Sequence, residues 1–253
     1  DIRVPGDTDS VFFGPTARLR LVDGFRKVTG IDTLGFVQDL ELGAQLGITA
    51  GARVRDEAGR SEELQPEVSV DAAWAGEPLV DVFTRLDAAT TARWSGSDVA
   101  GYDTRLSART FVRASEQNTL AAAIRFDAVD EDQDLLRELL LGEDVGLRGY
   151  RARQFAGTHR LRLNLENRFD TGLELWTLRF GVVAFFDSAW LGRGSELGRP
   201  WTAAGLGLRI GSPPLLGGGV LRIDVAQPLD DVEGEDDGLR VSVSVGQVFG
   251  FDR

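Results

Sequence analysis

The residues that could carry chemistry are few, and most fail on type or spacing. The chain has one histidine, His159, and no cysteine. A Ser-His-Asp triad would have to use His159, and no Gly-x-Ser-x-Gly elbow accompanies it. A thiolate nucleophile, a disulfide framework and a thiolate metal site are excluded outright. The glycine-rich stretch Gly211–Gly219 lacks the lysine and following helix of a phosphate loop and reads as a turn. The acidic runs Asp127–Asp134 and Asp230–Asp237 read as solvated connections rather than a metal site. Asp and Glu also alternate with arginine along many segments, and there carboxylate pairs for acid–base work look the same as ion pairs. The expectation is a non-enzyme with no cofactor and no metal.

The bulk properties narrow the partners. The net charge is -12 over 253 residues, with a single lysine, Lys27. Such an acidic chain is a poor match for nucleic acid. No apolar run approaches the roughly 20 residues of a membrane-spanning helix. The sequence has no methionine and opens at Asp1 without a basic-then-apolar leader; we read it as a mature chain whose export signal has been removed.

Period-two alternation dominates the elements that would position any site. In His159–Arg168, Leu161, Leu163 and Leu165 share one face, and Arg160, Arg162, Asn164, Glu166 and Arg168 share the other. The pattern predicts strands over 15–23, 36–53, 66–75, 79–92, 101–115, 117–129, 157–169, 173–188, 201–211, 218–228 and 239–251. Many reach the roughly 9–11 residues that cross a bilayer at a tilt. Tight connections are expected at Ala75–Pro78, Ser115–Gln117 and Asp170–Gly172. Longer ones are expected at Arg55–Gln65, Ser95–Ala100, Val129–Ala156 and Leu191–Arg199, as in outer-membrane barrels with one short-turn rim. Eleven strands are legible; even strand number calls for a twelfth, which Ile2–Phe13 would supply.

Alternation alone does not say which face points inward, and a soluble β-barrel binding a small ligand would show the same pattern. Mixed Arg and Asp/Glu on the polar face suit a lumen laced by ion pairs. An apolar face of Leu, Val, Ile and Ala, with Trp176, Phe180 and Phe186 on one strand, suits lipid. Trp74, Trp94, Trp190, Trp201, Phe249 and Phe251 near strand ends would fit aromatic girdles. The fold expected is all-β: an antiparallel transmembrane β-barrel of about 12 strands, or part of a 16-stranded one, forming a single domain over 1–253 with a long loop, 130–156, folded into the lumen.

Three ordered segments add a resemblance. Leu147-Arg148-Gly149-Tyr150 resembles the [Val/Leu]-Arg-Gly-[Phe/Tyr] motif in the sixth extracellular loop of the BamA/TamA-like bacterial surface antigen superfamily. Phe185-Phe186-Asp187 resembles its Phe-x-Asp motif, and Asn164–Arg168, with Glu166, the first strand after that loop. Ser244-Val245-Gly246-Gln247-Val248-Phe249-Gly250-Phe251 resembles an outer-membrane β-signal through Ser244, Gly246, Phe249 and Phe251; Asp252-Arg253 follow it, a small departure. The likeness covers about 142–251, with five strands after the loop.

The resemblance implies that Arg148 locks the loop to the wall through Asp187 and, more loosely, Glu166, with Gly149, Tyr150 and Phe185 completing the lock. It implies a bacterial outer-membrane location and insertion or transport of polypeptides there. Partners would be outer-membrane lipid and unfolded outer-membrane protein clients, or periplasmic or surface protein subunits. Full family members have sixteen strands and periplasmic POTRA domains. Neither is visible here, so a structural or passive barrel, an anchor or subunit of a larger assembly, stands beside the insertion reading.

Overall fold

A computed structural model describes residues 8–57, 63–130, 138–194, 196–213, 219–232 and 238–251. Among these, the secondary structure is strand except for one turn of 3-10 helix at Glu143–Val145. No helix is long and apolar enough to cross a membrane. Twelve strands form one antiparallel sheet: β1 (Thr8–Phe13), β2 (Thr16–Val28), β3 (Gln38–Glu57), β4 (Glu63–Leu79), β5 (Val82–Ser95), β6 (Asp98–Arg113), β7 (Asn118–Val129), β10 (His159–Leu175), β11 (Leu178–Arg193), β12 (Glu196–Gly211), β13 (Val220–Pro228) and β14 (Arg240–Val245). A small hairpin, β8 (Leu139–Leu141) with β9 (Phe155–Gly157), sits inside the long connection between β7 and β10.

The twelfth strand is not a twelfth neighbour. β1 pairs with Ala52–Glu57 of β3, while β2 pairs with Gln38–Thr49 of the same strand. The two are one line of chain interrupted at Gly14-Pro15, so the expectation that Ile2–Phe13 adds a lane is corrected. Pro15 has no N–H for the ladder, and a side chain at Gly14 would run into the Ala50 carbonyl. The sheet order starts at β1 and β2 and ends at β14, and no pairing among the described residues joins its two edges.

Two expected turns are bulges. The Ala75–Pro78 region holds a register shift between Gly76 and Leu79, and β4 turns later, at Val80-Asp81. Asp170–Gly172 likewise falls in a register shift, with the true turn at Trp176-Thr177. Gly, Pro and Asp mark bulges as readily as turns, because both need a break in the ladder. Trp176 therefore sits at a hairpin tip rather than on a strand face. Two expected long connections close tightly: β5 and β6 through 96–97, and β11 and β12 through 194–195. Wide connections occur at both ends, at 28–38 and 211–220 on one rim and 57–63, 129–159 and 228–240 on the other. The rim contrast is weaker than expected, and the longest connection carries most of it.

The polarity of the two faces is inside out relative to a soluble sheet. On β10, Leu165 is 41% exposed while its neighbours Asn164 and Glu166 are 6% and 4% exposed. Leu46, Ile48, Leu86, Leu106, Leu120, Ile124, Val182 and Leu206 are exposed in the same way on six other strands. The opposite, buried face carries arginines and carboxylates, among them Arg109, Asp127, Arg160, Glu166, Arg168, Asp187, Arg209 and Asp224.

Two segments cover that charged face. From the long-loop rim, Leu141, Leu147 and Tyr150 bury against Ala189 and Ala203, with Phe155, Leu191 and Trp201 around them. From the other rim, the β2–β3 connection and the end of the chain pack Val28, Ile31, Phe249 and Phe251 against Leu40, Phe83 and Phe111. The strand expected over 239–251 thus stops at Val245. Gly246, at φ 89°, a backbone region open chiefly to glycine, turns the chain inward. Trp201, Phe249 and Phe251 are interior packing residues and not girdle positions.

Candidate functional site

The site is built by strict parity on three strands and one tight loop. On β10, β11 and β13, residues Glu166, Asp187 and Asp224 fall on the buried face because each is an even number of residues from its inward neighbours. The 3-10 turn Glu143–Val145 ends in Gly146 in the left-handed conformation, with its N–H donating to the Glu143 carbonyl. That reversal delivers Arg148 to the wall.

Arg148 is fully buried. Its Nε and Nη2 donate to the two oxygens of Asp187 at 2.7 and 2.8 Å, a bidentate fork of the kind arginine's planar group favours. Its backbone N–H donates to the same carboxylate at 3.2 Å, and Nη1 donates to Glu166 Oε1 at 2.7 Å. Asp224 lies 3.9 Å from Nη1. The guanidinium carbon stands 3.5 Å over the centre of the Phe185 ring, adding a cation–π contact. Burial works against the charge, but Asp187, then Glu166 and Asp224, outweigh it, so the affinity of Arg148 for its proton is raised.

The carboxylates are held in turn. Asn164 Nδ2 donates to Asp187 Oδ1 at 2.7 Å and to the Gly146 carbonyl at 2.6 Å. Arg209 Nη1 donates to Asp224 Oδ1 at 2.6 Å. Arg168 Nε donates to Glu166 Oε2 at 2.8 Å, and its two terminal nitrogens donate to the Ile31 carbonyl at 2.5 Å and the Phe249 carbonyl at 2.8 Å. Glu166 therefore bridges the loop from one rim to the chain end and β2–β3 connection from the other.

Gly149 has φ 90°, and a Cβ there would meet the Cβ atoms of Ala203 and Ala226 at 3.3 Å. Backbone conformation and close approach both call for glycine. Tyr150 Oη donates to the Thr202 carbonyl at 2.8 Å, and its ring meets Trp201 edge-on. Its pKa is pushed up to about 12, by burial first and then by Asp230.

The structure thus brings together Arg148, Gly149, Tyr150, Phe185, Asp187 and Glu166. It separates the four β-signal residues: Ser244 stays on β14, Gly246 is the inward corner, and Phe249 and Phe251 are in the interior cluster. His159 begins β10 at the long-loop rim, its Nδ1 3.1 Å from Thr158 Oγ1.

No family model and no curated protein matches the chain. The assignment of a role therefore rests on this geometry.

Sequence reasoning overlooked Asn164, Arg168, Arg209 and Asp224 as lock residues. Their only signal was membership of the polar face, which dozens of residues share. It also misread Asp127, taken as part of a solvated run. Asp127 belongs to β7, is buried, and accepts from Arg105, Arg125, Arg160 and Arg162. Residues 131–134 and 233–237 of the two acidic runs lie outside the described residues. No group of metal-ligating residues occurs among those described.

Proposed function

We propose that the chain is the wall of a bacterial outer-membrane β-barrel of the BamA/TamA-like assembly superfamily, acting in insertion or transport of polypeptides. The observation that carries the membrane part is the inside-out polarity of the sheet. A contiguous apolar face of the extent seen here has to be covered by something, and strands alternating apolar-out and charged-in are what a bilayer covers. Lipid tails leave the outward Leu, Val and Ile satisfied, and carboxylates on the other face offset its arginines, as at Asp187, Glu166 and Asp224.

The polypeptide part draws support from the sheet edges and the lock. Among the described residues β14 pairs with β13 alone, and its outward residues Val241, Val243 and Val245 are 67%, 65% and 79% exposed. β2 likewise pairs with β3 alone among the described residues. An open edge is a template for another strand, and the family reading assigns that role to a seam between first and last strands. In it, the Arg148 lock sets how firmly the loop braces the wall beside the seam.

Two measurements test this in turn. The protein should partition into detergent and resist carbonate extraction from membranes; recovery from plain buffer would overturn the membrane reading. Liposomes carrying it should speed the insertion of an unfolded barrel client. Rates equal to those of empty liposomes would leave the second reading, a passive barrel that anchors or completes a larger assembly. That reading is favoured by the two segments that cover the charged face.

A further inference from the structure

Beside the Arg148 lock, and bordering it at Asn164, residues of β3–β7 and β10 line a cavity of about 450 Å³, roofed by Gln247, Val248 and Phe249. Its volume falls within the roughly 300–1,000 Å³ typical of small-molecule sites. Ala73, Ala89 and Ala123 make the space, because small side chains there sit between long ones in neighbouring rows. The long ones are Arg85, Arg105, Arg109, Arg125 and Arg162.

Fewer carboxylates stand near them among the described residues. Asp71 and Asp87 line the cavity. Asp87 accepts from Arg109 and from Arg85, the latter at 3.0 Å. Asp127 is shared by four arginines: its Oδ1 accepts from Arg125 at 2.9 Å and Arg105 at 3.3 Å, and its Oδ2 from Arg160 at 2.9 Å and Arg162 at 3.4 Å. Among the described residues, Arg105, Arg125, Arg160 and Arg162 have the single carboxylate of Asp127 between them, a local excess of positive charge inside a chain whose net charge is -12. The Nε of Arg162 and the side-chain oxygen of Gln247 are buried without a hydrogen-bond partner among the described residues. The side chains of Arg105 and Arg125 are 55% and 37% exposed, so the cluster is open to solute.

We propose that this cavity is a binding site for a soluble multivalent oxyanion of the phosphate class, of about pyrophosphate size. Guanidinium groups from four strands converge on one space, and each offers paired N–H donors in the geometry that phosphate oxygens accept. A monovalent carboxylate would engage one fork and leave the excess charge. An anion with two or more charges and oxygens on several sides engages Arg105, Arg125 and Arg162 together and neutralises the cluster. Asp71 stands on the same wall as the one lining carboxylate with no arginine bonded to it among the described residues, and it disfavours the anion by like-charge repulsion.

The test is a pyrophosphate titration of the full chain in detergent, followed by calorimetry and thermal unfolding at constant ionic strength, with chloride and a short poly-glutamate peptide as comparison ligands. Saturable binding at one site and a raised unfolding temperature are expected with pyrophosphate. Arg105→Gln and Arg125→Gln should each weaken binding about tenfold, the loss of one charge-assisted contact. Asp71→Asn should tighten it, an effect of opposite sign that no general loss of folding can mimic. Saturation by poly-glutamate in preference to pyrophosphate would make the site a peptide dock and overturn the proposal. So would a response to pyrophosphate no larger than to chloride, or an affinity indifferent to all three substitutions.

Discussion

Arg148 and Arg162 both project from their backbones into the charged side of the sheet, and both reach a carboxylate. Arg148 has Asp187 in a bidentate fork, Glu166 on its remaining nitrogen and Asp224 nearby; Arg168 also holds Glu166, and Arg209 and Arg222 also face Asp224. Arg162 has a quarter share of Asp127 and the Val145 carbonyl. In the first region every nitrogen of the Arg148 guanidinium is engaged and the loop braces the fork, although Arg209 Nε and Nη2 and Asp224 Oδ2 beside it are buried without a hydrogen-bond partner among the described residues. The second is over-supplied with positive charge and opens into a cavity. A buried ion pair tolerates desolvation only when its partners and hydrogen bonds are complete. The lock therefore behaves as structure, whereas the arginines around Asp127 keep capacity for something else.

Breaking the lock should give the largest effect. Arg148→Ala leaves Asp187 buried without its cation and Glu166 with Arg168 alone, a loss of about 3–5 kcal/mol. It should appear as a lower heat-modification midpoint and protease cleavage within 130–157. Unchanged resistance would show that the loop is held by its apolar contacts alone.

Glu166→Gln probes the bridge between the two covering segments. The amide keeps one acceptor but loses the charge that faces Arg148 and Arg168, at a cost of about 1–3 kcal/mol. Because Arg168 also holds the Phe249 and Ile31 carbonyls, proteolysis should increase at the loop and at the chain end together. A change confined to the loop would mean that the two segments are independent. In a double-mutant cycle, Glu166→Gln and Phe249→Ala should be non-additive for the same reason.

Tyr150→Phe removes one hydrogen bond to Thr202 and should cost about 0.5–1.5 kcal/mol. The same phenol gives a pH signature. Its folded pKa lies near 12, above the ordinary value of about 10. The neutral phenol's contribution is thus complete below about pH 10, and it fades as the pH rises towards 12. A phenolate difference spectrum against Tyr150→Phe should show ionisation delayed into that window; ordinary titration would place the side chain in water. Smallest of all, Arg125→Gln should change stability by less than about 0.5 kcal/mol, as for a partly exposed substitution. A loss as large as that of Arg148→Ala would erase the contrast between the two regions.

The alternation of single residues is local, so the sequence by itself determined that the chain forms long strands, and which residues share a face. From that parity Asp187 and Phe185 fell on one face and Glu166 on the polar face of its own strand, and the resemblance, not the parity, joined them to Arg148. Period two is symmetric under exchange of faces, and no local signal says which one the sheet curves around. Only the tertiary structure turned the apolar face outward. Gly-Pro and Asp-x-Gly break a ladder equally well at a bulge or a turn, so the hairpins' true ends at Val80-Asp81 and Trp176-Thr177 depended on cross-strand register. The inward fold of Gly246–Phe251 depended on Arg109, Arg168 and Phe111, all more than seventy residues away in the chain. Asp127 looked like one acid in a run; its four arginines come from three strands, and only their assembly made it the centre of a cluster.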